Sequence, residues 1–238
     1  MTGRVANWLF AGRVGDLRAQ AGSEIFRSLV RGIGDGGDIQ TSGIHDFSDV
    51  VISDFIGRGR RCVAFAARIG DRDLVAKVYH RRAIARHQYQ YGGSLAKYEY
   101  ERNKVFHGVP EFTACSVAPI GFLSSQRVEV FLQERVFGEK LRSFLRACSD
   151  ESCDKLLAEL RSVLERANRA GLFDLDLHPS NIIVRQSGDG TARPVLFDFN
   201  KVPYHVRPPN PLFECLVNLG MAGSRSRDHR HLKRFCRS

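Results

Sequence analysis

Three polar side chains stand beside two short apolar runs in the second half of the chain. Asn181 comes directly before Ile182-Ile183-Val184, and Asp198 directly follows Val195-Leu196-Phe197. A stretch rich in Gly, Ser and Asp separates the runs, so they are predicted to pair as a β-hairpin. Asp176 precedes Asn181 by one short loop. Because Mg²⁺ takes oxygen ligands from a few carboxylates or amides and leaves other positions to phosphates, this spacing predicts a cation and phosphate site at one end of the hairpin.

A glycine turn and a lysine on an apolar strand lie upstream. Residues 50–79 are predicted to form a three-strand meander, with Gly57 and Gly59 in its first turn and Lys77 in its third strand. The glycine pair alone is weak evidence of phosphate binding, since such pairs are common in tight turns. A lysine removed from water needs an anion, so Lys77 is predicted either to reach the surface or to meet a carboxylate or phosphate.

The chain after the meander is predicted to form helices and two short strands. A helix is predicted from about 91 to 106, and it carries two candidate partners for Lys77, which are Glu99 and Glu101. Two short strands are predicted over 117–122 and 128–134. Beyond them, apolar residues at helical spacing predict two more helices, the longer one marked by Leu156, Leu157, Leu160, Val163, Leu164 and Ala167.

Composition limits the function classes. The chain has 238 residues with 43% hydrophobic and 26% charged content, which is ordinary for a globular protein. No apolar run is long enough to span a membrane and no export signal is visible, so we expect a cytoplasmic protein. The net charge of +10 implies attraction to polyanions, but no nucleic-acid-binding signature accompanies it. Six scattered cysteines without zinc spacing are expected to be reduced thiols.

The order of these parts resembles the protein-kinase-like fold from roughly residue 49 onward. The parts are a glycine loop, a strand Lys, a helix Glu, Asp176-Leu-x-x-x-Asn181, a strand, and Asp198-Phe-x. The nearest resemblance is to the small bacterial branch that contains lipopolysaccharide core (heptose and Kdo) kinases and the YrbL group of PhoP-regulated proteins. The resemblance implies an α/β (α+β) two-lobe fold with an antiparallel N-lobe sheet and a reduced helical C-lobe. Residues 1–46 would be an N-terminal extension, with an N-lobe over about 47–134 and a C-lobe over about 135–238.

The resemblance also implies roles for individual residues. Asp176 would be the catalytic base, and Asn181 and Asp198 would hold Mg²⁺ against the phosphates of ATP. Lys77 would contact the α- and β-phosphates, paired with Glu99 in preference to Glu101. The remaining nucleotide contacts would come from the backbone of four residues, namely Gly57, Gly59, Glu134 and Val136.

Departures from the family pattern leave alternatives open. Cys62 replaces the third loop glycine, Asp174 replaces the usual histidine, and Asn200 replaces the glycine of Asp-Phe-Gly. The short C-terminal part lacks the substrate-binding helices of eukaryotic protein kinases, which favours a small or saccharide acceptor. We therefore expect ATP- and Mg²⁺-dependent phosphorylation of a hydroxyl, first of all on an anionic envelope saccharide or glycolipid, with possible peripheral contact at the inner membrane. A nucleotide-binding pseudokinase and a protein Ser/Thr kinase are the alternatives.

Overall fold

The computed structural model describes residues 40–42, 47–125, 128–172, 175–188 and 191–198, together with residues 219, 228, 231 and 232. Most of residues 1–46, predicted to be an N-terminal extension, and most of the segment after Asp198 lie outside these residues. The chain divides into two compact units. The first contains the described residues up to Glu101 together with Ala118–Arg135, and the second contains Arg102–Val117 and the described residues from Val136 onward.

The first unit is built on a six-stranded antiparallel sheet in the order β1-β5-β6-β4-β3-β2. Its helices are α1 (Arg81–Tyr91) and the first half of α2 (Leu95–His107). Its strands are β1 (Gln40–Ser42), β2 (Val51–Arg58), β3 (Cys62–Ile69), β4 (Arg72–Tyr79), β5 (Pro119–Ser124) and β6 (Glu129–Glu134). The predicted meander corresponds to β2, β3 and β4.

Side chains alternate between the two faces of this sheet along each strand, and both faces carry buried residues. Val130 and Leu132 of β6 pack in an apolar cluster with β2, β3 and β4, whereas Phe131 packs on the other face with Leu95 and Ala96 of α2. Successive strand residues point to opposite faces, so this difference fixes the face of every other residue in β6. Lys77 and Glu129, two buried ionisable residues of the sheet, lie on the face toward α2.

The second unit has a helical core beside a three-stranded sheet. Its helices are α3 (Pro110–Thr113), α4 (Leu141–Ala147) and α5 (Asp150–Arg169), and its strands are β7 (Glu139–Lys140), β8 (Ile182–Gln186) and β9 (Ala192–Leu196). The order of the strands is β7-β8-β9. Helix α5 begins after Ser149, whose hydroxyl accepts a hydrogen bond from the Ser152 N–H. The predicted leucine stripe of α5 packs inward, with Leu160 and Leu164 fully buried.

Local structure differs from the prediction in three places. Helix α1 was missed because only Ile84 and His87 of its eleven residues are buried, so it has no apolar stripe to detect. A sixth strand, β1, comes from the section predicted to be an extension and pairs with β5. The expectation of reduced thiols was wrong for Cys148 and Cys153, which form a disulfide bond. Within the described residues, none of the helices combines the length and apolar character that crossing a membrane requires.

Candidate active site

Lys77 and Glu99 form a buried ion pair in the first unit. The side chain of Lys77 is 5% exposed and that of Glu99 is 0% exposed. Lys77 Nζ donates to Glu99 Oε1, and it lies 5.4 Å from the ring centroid of Phe131. Glu101, the other candidate partner, is exposed. The structure therefore brings together Lys77 and Glu99, as the prediction preferred.

The second oxygen of Glu99 has its own partner. Tyr79, fully buried at the end of β4, donates its hydroxyl hydrogen bond to Glu99 Oε2. Both oxygens of the carboxylate are therefore satisfied, which is what allows a charge to remain inside an apolar cluster. Sequence reasoning missed Tyr79. The signal was its position two residues after Lys77, which places both side chains on the same face of β4.

The fold itself does not require the two loop glycines. Neither Gly57 nor Gly59 has a positive φ, and a Cβ built on Gly57 would meet no atom within 4 Å. By contrast, a Cβ on Gly138 would lie 2.5 Å from the Val184 carbonyl oxygen, so that glycine is needed for packing. Glycine at 57 leaves open space beside the backbone, which suits close approach of a ligand.

Asp176 and Asp198 share an unusual backbone conformation. Their φ angles are 51° and 71°, and in the part of the chain that the structure describes they are the two non-glycine residues with positive φ. Left-handed conformations are strained for L-residues with a side chain, and such residues concentrate at functional sites. The strain therefore falls on the two aspartates to which the sequence assigned chemistry.

Asn181 connects the two aspartates. Its Nδ2 donates to the Asp176 carbonyl oxygen at 3.2 Å, and its own carbonyl accepts from the Phe197 N–H at 3.1 Å. The hairpin register pairs Ile182 with Leu196, so Asn181 and Asp198 stand at the same end of β8 and β9. The structure thus brings all three predicted residues of the second unit together.

The loop between Asp176 and Asn181 is stabilised by its own hydrogen bonds. The His178 N–H donates to the Asp176 carbonyl at 2.7 Å, and the Asn181 N–H donates to the His178 carbonyl at 2.8 Å. The His178 ring Nδ1 lies 2.6 Å from Ser180 Oγ, at the start of the 3-10 turn Pro179–Asn181. His178 therefore shapes the turn.

The donor set fits a magnesium ion that shares its ligands with phosphate. Asn181 Nδ2 donates to the Asp176 carbonyl, so the amide oxygen Oδ1, which accepts from Ser180 Oγ at 3.3 Å, is the atom that would serve as a cation ligand together with the carboxylate of Asp198. Among the described residues, no group of three or more His, Cys, Asp or Glu side chains could hold a metal alone. Mg²⁺ in nucleotide sites needs only one or two protein oxygens, since phosphates and water supply the others.

A buried carboxylate that the sequence analysis missed supports the loop that carries Asp176. Asp228 is 1% exposed, and its Oδ1 accepts a hydrogen bond from the backbone N–H of Leu175 at 3.1 Å. Leu175 directly precedes Asp176, so this bond fixes the backbone at the entry to the strained residue. No local pattern marks Asp228, which lies far along the chain from the loop.

The segment predicted to contact adenine begins at the end of β6. The Glu134 N–H donates to the Ala118 carbonyl at 2.9 Å, and the Arg135 N–H donates to the Asp73 carbonyl at 3.0 Å. Neither of these N–H groups is therefore available to a base. The predicted roles of Glu134 and Val136 stay predictions. They would have to be filled by backbone groups other than these two N–H groups.

Comparisons with known proteins give a structural likeness without a sequence match. No protein-family model matches the chain, and no curated protein matches it. Among solved structures it is similar to the kinase domain of PF14_0431, at 16% identity and a TM-score of 0.51, over 66% of this chain and 52% of that one. It is also similar to Rad53 in complex with AMP-PNP, at 18% identity and a TM-score of 0.51, over 77% of this chain and 45% of that one.

The chain spans about half the length of these kinase structures. At such low identity the likeness shows the fold, and it confirms the predicted class: a mixed α/β protein-kinase-like fold with an antiparallel N-terminal sheet and helices. The narrower resemblance to the small bacterial branch of lipopolysaccharide core kinases and YrbL stays a prediction.

Proposed function

We propose that this protein is an ATP- and Mg²⁺-dependent phosphotransferase that moves the γ-phosphoryl group of ATP to a hydroxyl acceptor. The observation that carries the proposal is the geometry around the β8–β9 hairpin, where Asp176 and Asp198 are held in left-handed backbone conformations at either side of Asn181. The kinase-like fold and the buried Lys77–Glu99 pair support it. Rad53 was solved with an ATP analogue, which is consistent with nucleotide binding by this fold.

Each residue has a role that its surroundings permit. Asp176 accepts the proton of the acceptor hydroxyl and orients that oxygen for in-line attack on the γ-phosphorus. Lys77 neutralises charge on the α- and β-phosphates, and Glu99 holds the Lys77 ammonium group in place. Asn181 and Asp198 would hold Mg²⁺, which when bound would neutralise charge on the phosphates. Positioning and charge neutralisation supply most of the rate enhancement in phosphoryl transfer, and these five side chains provide both.

The acceptor we propose is an anionic envelope saccharide or glycolipid, such as a lipopolysaccharide core sugar. Two features support this choice: the resemblance to the lipopolysaccharide core kinase and YrbL branch, and the net charge of +10, which favours an anionic partner. This part of the proposal places the protein in the cytoplasm, with peripheral contact at the inner membrane. It is an argument by analogy rather than from the site itself.

Incubation with γ-labelled ATP, Mg²⁺ and an envelope extract tests the proposal. Wild type should transfer label to the glycolipid fraction, and Asp176→Asn should lower transfer by about 10² or more, since general base catalysis contributes about that much. Glu101→Gln is a matched control because Glu101 is an exposed carboxylate outside the site. Transfer that is absent in wild type, or unchanged in Asp176→Asn, would refute the phosphotransferase. Label found in protein instead of glycolipid would favour a protein Ser/Thr kinase.

A nucleotide-binding regulatory module is the second candidate. Cys62 stands at the start of β3, where the loop pattern has its third glycine, and this substitution favours binding without transfer. Both candidates predict nucleotide binding, so Gly57→Ala should weaken it while leaving stability nearly unchanged, because the added Cβ has no neighbour in the protein. Calorimetric titration with ADP and Mg²⁺ measures the first effect. Binding without label transfer would select the regulatory module.

A further inference from the structure

A buried carboxylate on β6 ties the first turn of α2 to the sheet. Glu129 is 0% exposed, and its Oε2 accepts from the Ser94 hydroxyl at 3.0 Å and from the Ala96 N–H at 2.8 Å. The Leu95 N–H also hydrogen-bonds to this carboxylate. Ser94 Oγ in turn accepts from the Lys97 N–H at 3.1 Å, so the serine caps the helix as well. Carboxylate oxygen and helix N–H groups are complementary partners at a helix N-terminus.

The anchor lies one helical turn away from the ion pair. Ala96 and Glu99 are three residues apart on α2, so they lie on the same side of the helix. On the sheet, Glu129 shares a face with Phe131, which is directly opposite Lys77 in the β4–β6 register. Fixing the first turn of α2 against β6 therefore also fixes where Glu99 meets β4.

Holding α2 with the buried carboxyl group of Glu129 costs folding stability. Burial raises the pKa of the Glu129 carboxyl, against the opposing effect of its hydrogen bonds to Ala96, Ser94 and Leu95. Its other oxygen, Oε1, is buried without a hydrogen-bond partner. Burying a charged group with one unsatisfied oxygen costs stability that an apolar residue in the same place would not. A role in placing α2 explains the cost, whereas a role in stability alone does not.

We propose that Glu129 is a positioning residue, which holds α2 so that Glu99 stays paired with Lys77. The Tyr79 hydroxyl on Glu99 Oε2 provides a second hold on the same helix. The Lys77–Glu99 pair is then assembled by contacts within the first unit, without a partner protein or a modification to draw α2 into place. The consequence for catalysis rests on the proposed phosphotransferase function, whereas the consequence for Lys77 does not.

The test compares Glu129→Leu and Glu129→Gln with Val130→Ala as a matched control. Val130 is the next residue of β6 but packs on the opposite face, so its truncation destabilises the sheet without touching α2. The measured quantity is the rate at which an amine-reactive reagent acylates Lys77 at fixed pH, followed by peptide mass spectrometry. Glu129→Leu should raise this rate roughly tenfold, as expected when a hydrogen bond to a charged group is lost. Glu129→Gln, which keeps an oxygen acceptor, should restore a rate near that of wild type.

Kinetics provide the second measurement. In Glu129→Leu the kcat for phosphoryl transfer should fall with a smaller change in KM for ATP, because positioning rather than uniform binding is lost. The inference is wrong if folded Glu129→Leu shows the wild-type rate of Lys77 acylation. It is also wrong if Val130→Ala raises that rate as much as Glu129→Leu does. If Glu129→Leu does not fold, Ser94→Ala, which removes the other side of the contact, must raise labelling or the inference fails. If wild type transfers no phosphoryl group, the proposed function fails while the labelling result still decides the role of Glu129.

Discussion

Replacing Asp198 by glycine and by alanine separates its backbone conformation from its carboxylate. Both variants lose the carboxylate, but only alanine must adopt φ 71° with a Cβ. Left-handed backbone costs an L-residue about 1–2 kcal/mol, whereas glycine adopts it freely. Glycine also loses roughly 0.5–1 kcal/mol through the greater freedom of the unfolded chain. With the middle of each range, we expect the free energy of unfolding of Asp198→Gly to exceed that of Asp198→Ala by about 0.75 kcal/mol.

Urea unfolding followed by circular dichroism measures this difference, and a strand aspartate provides the control. Asp73 in β4 has no positive φ, so glycine there should be less stable than alanine. The same reversal of order is expected at Asp176, with φ 51°. Neither Asp198 variant should show Mg²⁺-dependent stabilisation by ATP. An Asp198→Ala variant as stable as Asp198→Gly would refute the strained conformation, and with it the argument that strain marks this site.

Three other measurements test further parts of the structure. Lys77→Met removes the ammonium partner of the buried Glu99 carboxylate, so it should cost about 3 kcal/mol in urea unfolding, and adding Glu99→Leu should recover most of the loss; a single variant as stable as wild type would contradict the buried pair. Asp228→Ala should lower kcat far more than it raises KM, because the Leu175 N–H next to Asp176 loses its hydrogen bond to Asp228. An unchanged kcat would show that Asp228 does not support the Asp176 loop. Burial, and secondly the charge of Arg61, lower the pKa of His87 from 6.5 to about 4. Since the folded protein then binds this proton less readily than the unfolded chain, the contribution of neutral His87 to stability should be fully present above pH 6.5 and fall by about 3 kcal/mol toward pH 4; a His87→Phe variant should lack this component, and an identical pH profile would refute it.

The proximity of the three polar residues of the second unit could be predicted from sequence spacing because these residues lie close together along the chain. Asp176, Asn181 and Asp198 belong to one loop and one hairpin, so a short apolar run before or after each residue was enough to place it. The fold class followed from the order of such local patterns. Lys77 was conspicuous for the same reason, since a charge interrupts an otherwise apolar strand.

The residues that sequence reasoning missed make contacts across long stretches of chain. Asp228 contacts Leu175 across fifty-three residues of sequence, and Glu129 contacts Ser94 from a strand thirty-five residues later. Helix α1 was missed for another reason, because a helix with two buried residues follows no apolar period. Charged residues at buried positions cannot be told from surface residues until the partner that satisfies them is known.

The residues with proposed chemical roles carry two independent kinds of energetic cost to folding. In the first unit, Lys77, Glu99 and Glu129 occupy a sheet face that apolar side chains would fill more cheaply, since buried ionic groups rarely stabilise a fold more than apolar replacements do. In the second unit, Asp176 and Asp198 hold backbone angles that glycine would adopt without strain. Selection for stability alone would favour apolar residues in place of the whole buried pair and glycine in place of each aspartate. The coincidence of both costs with the motif residues Lys77, Glu99, Asp176 and Asp198 supports the proposed phosphoryl-transfer site.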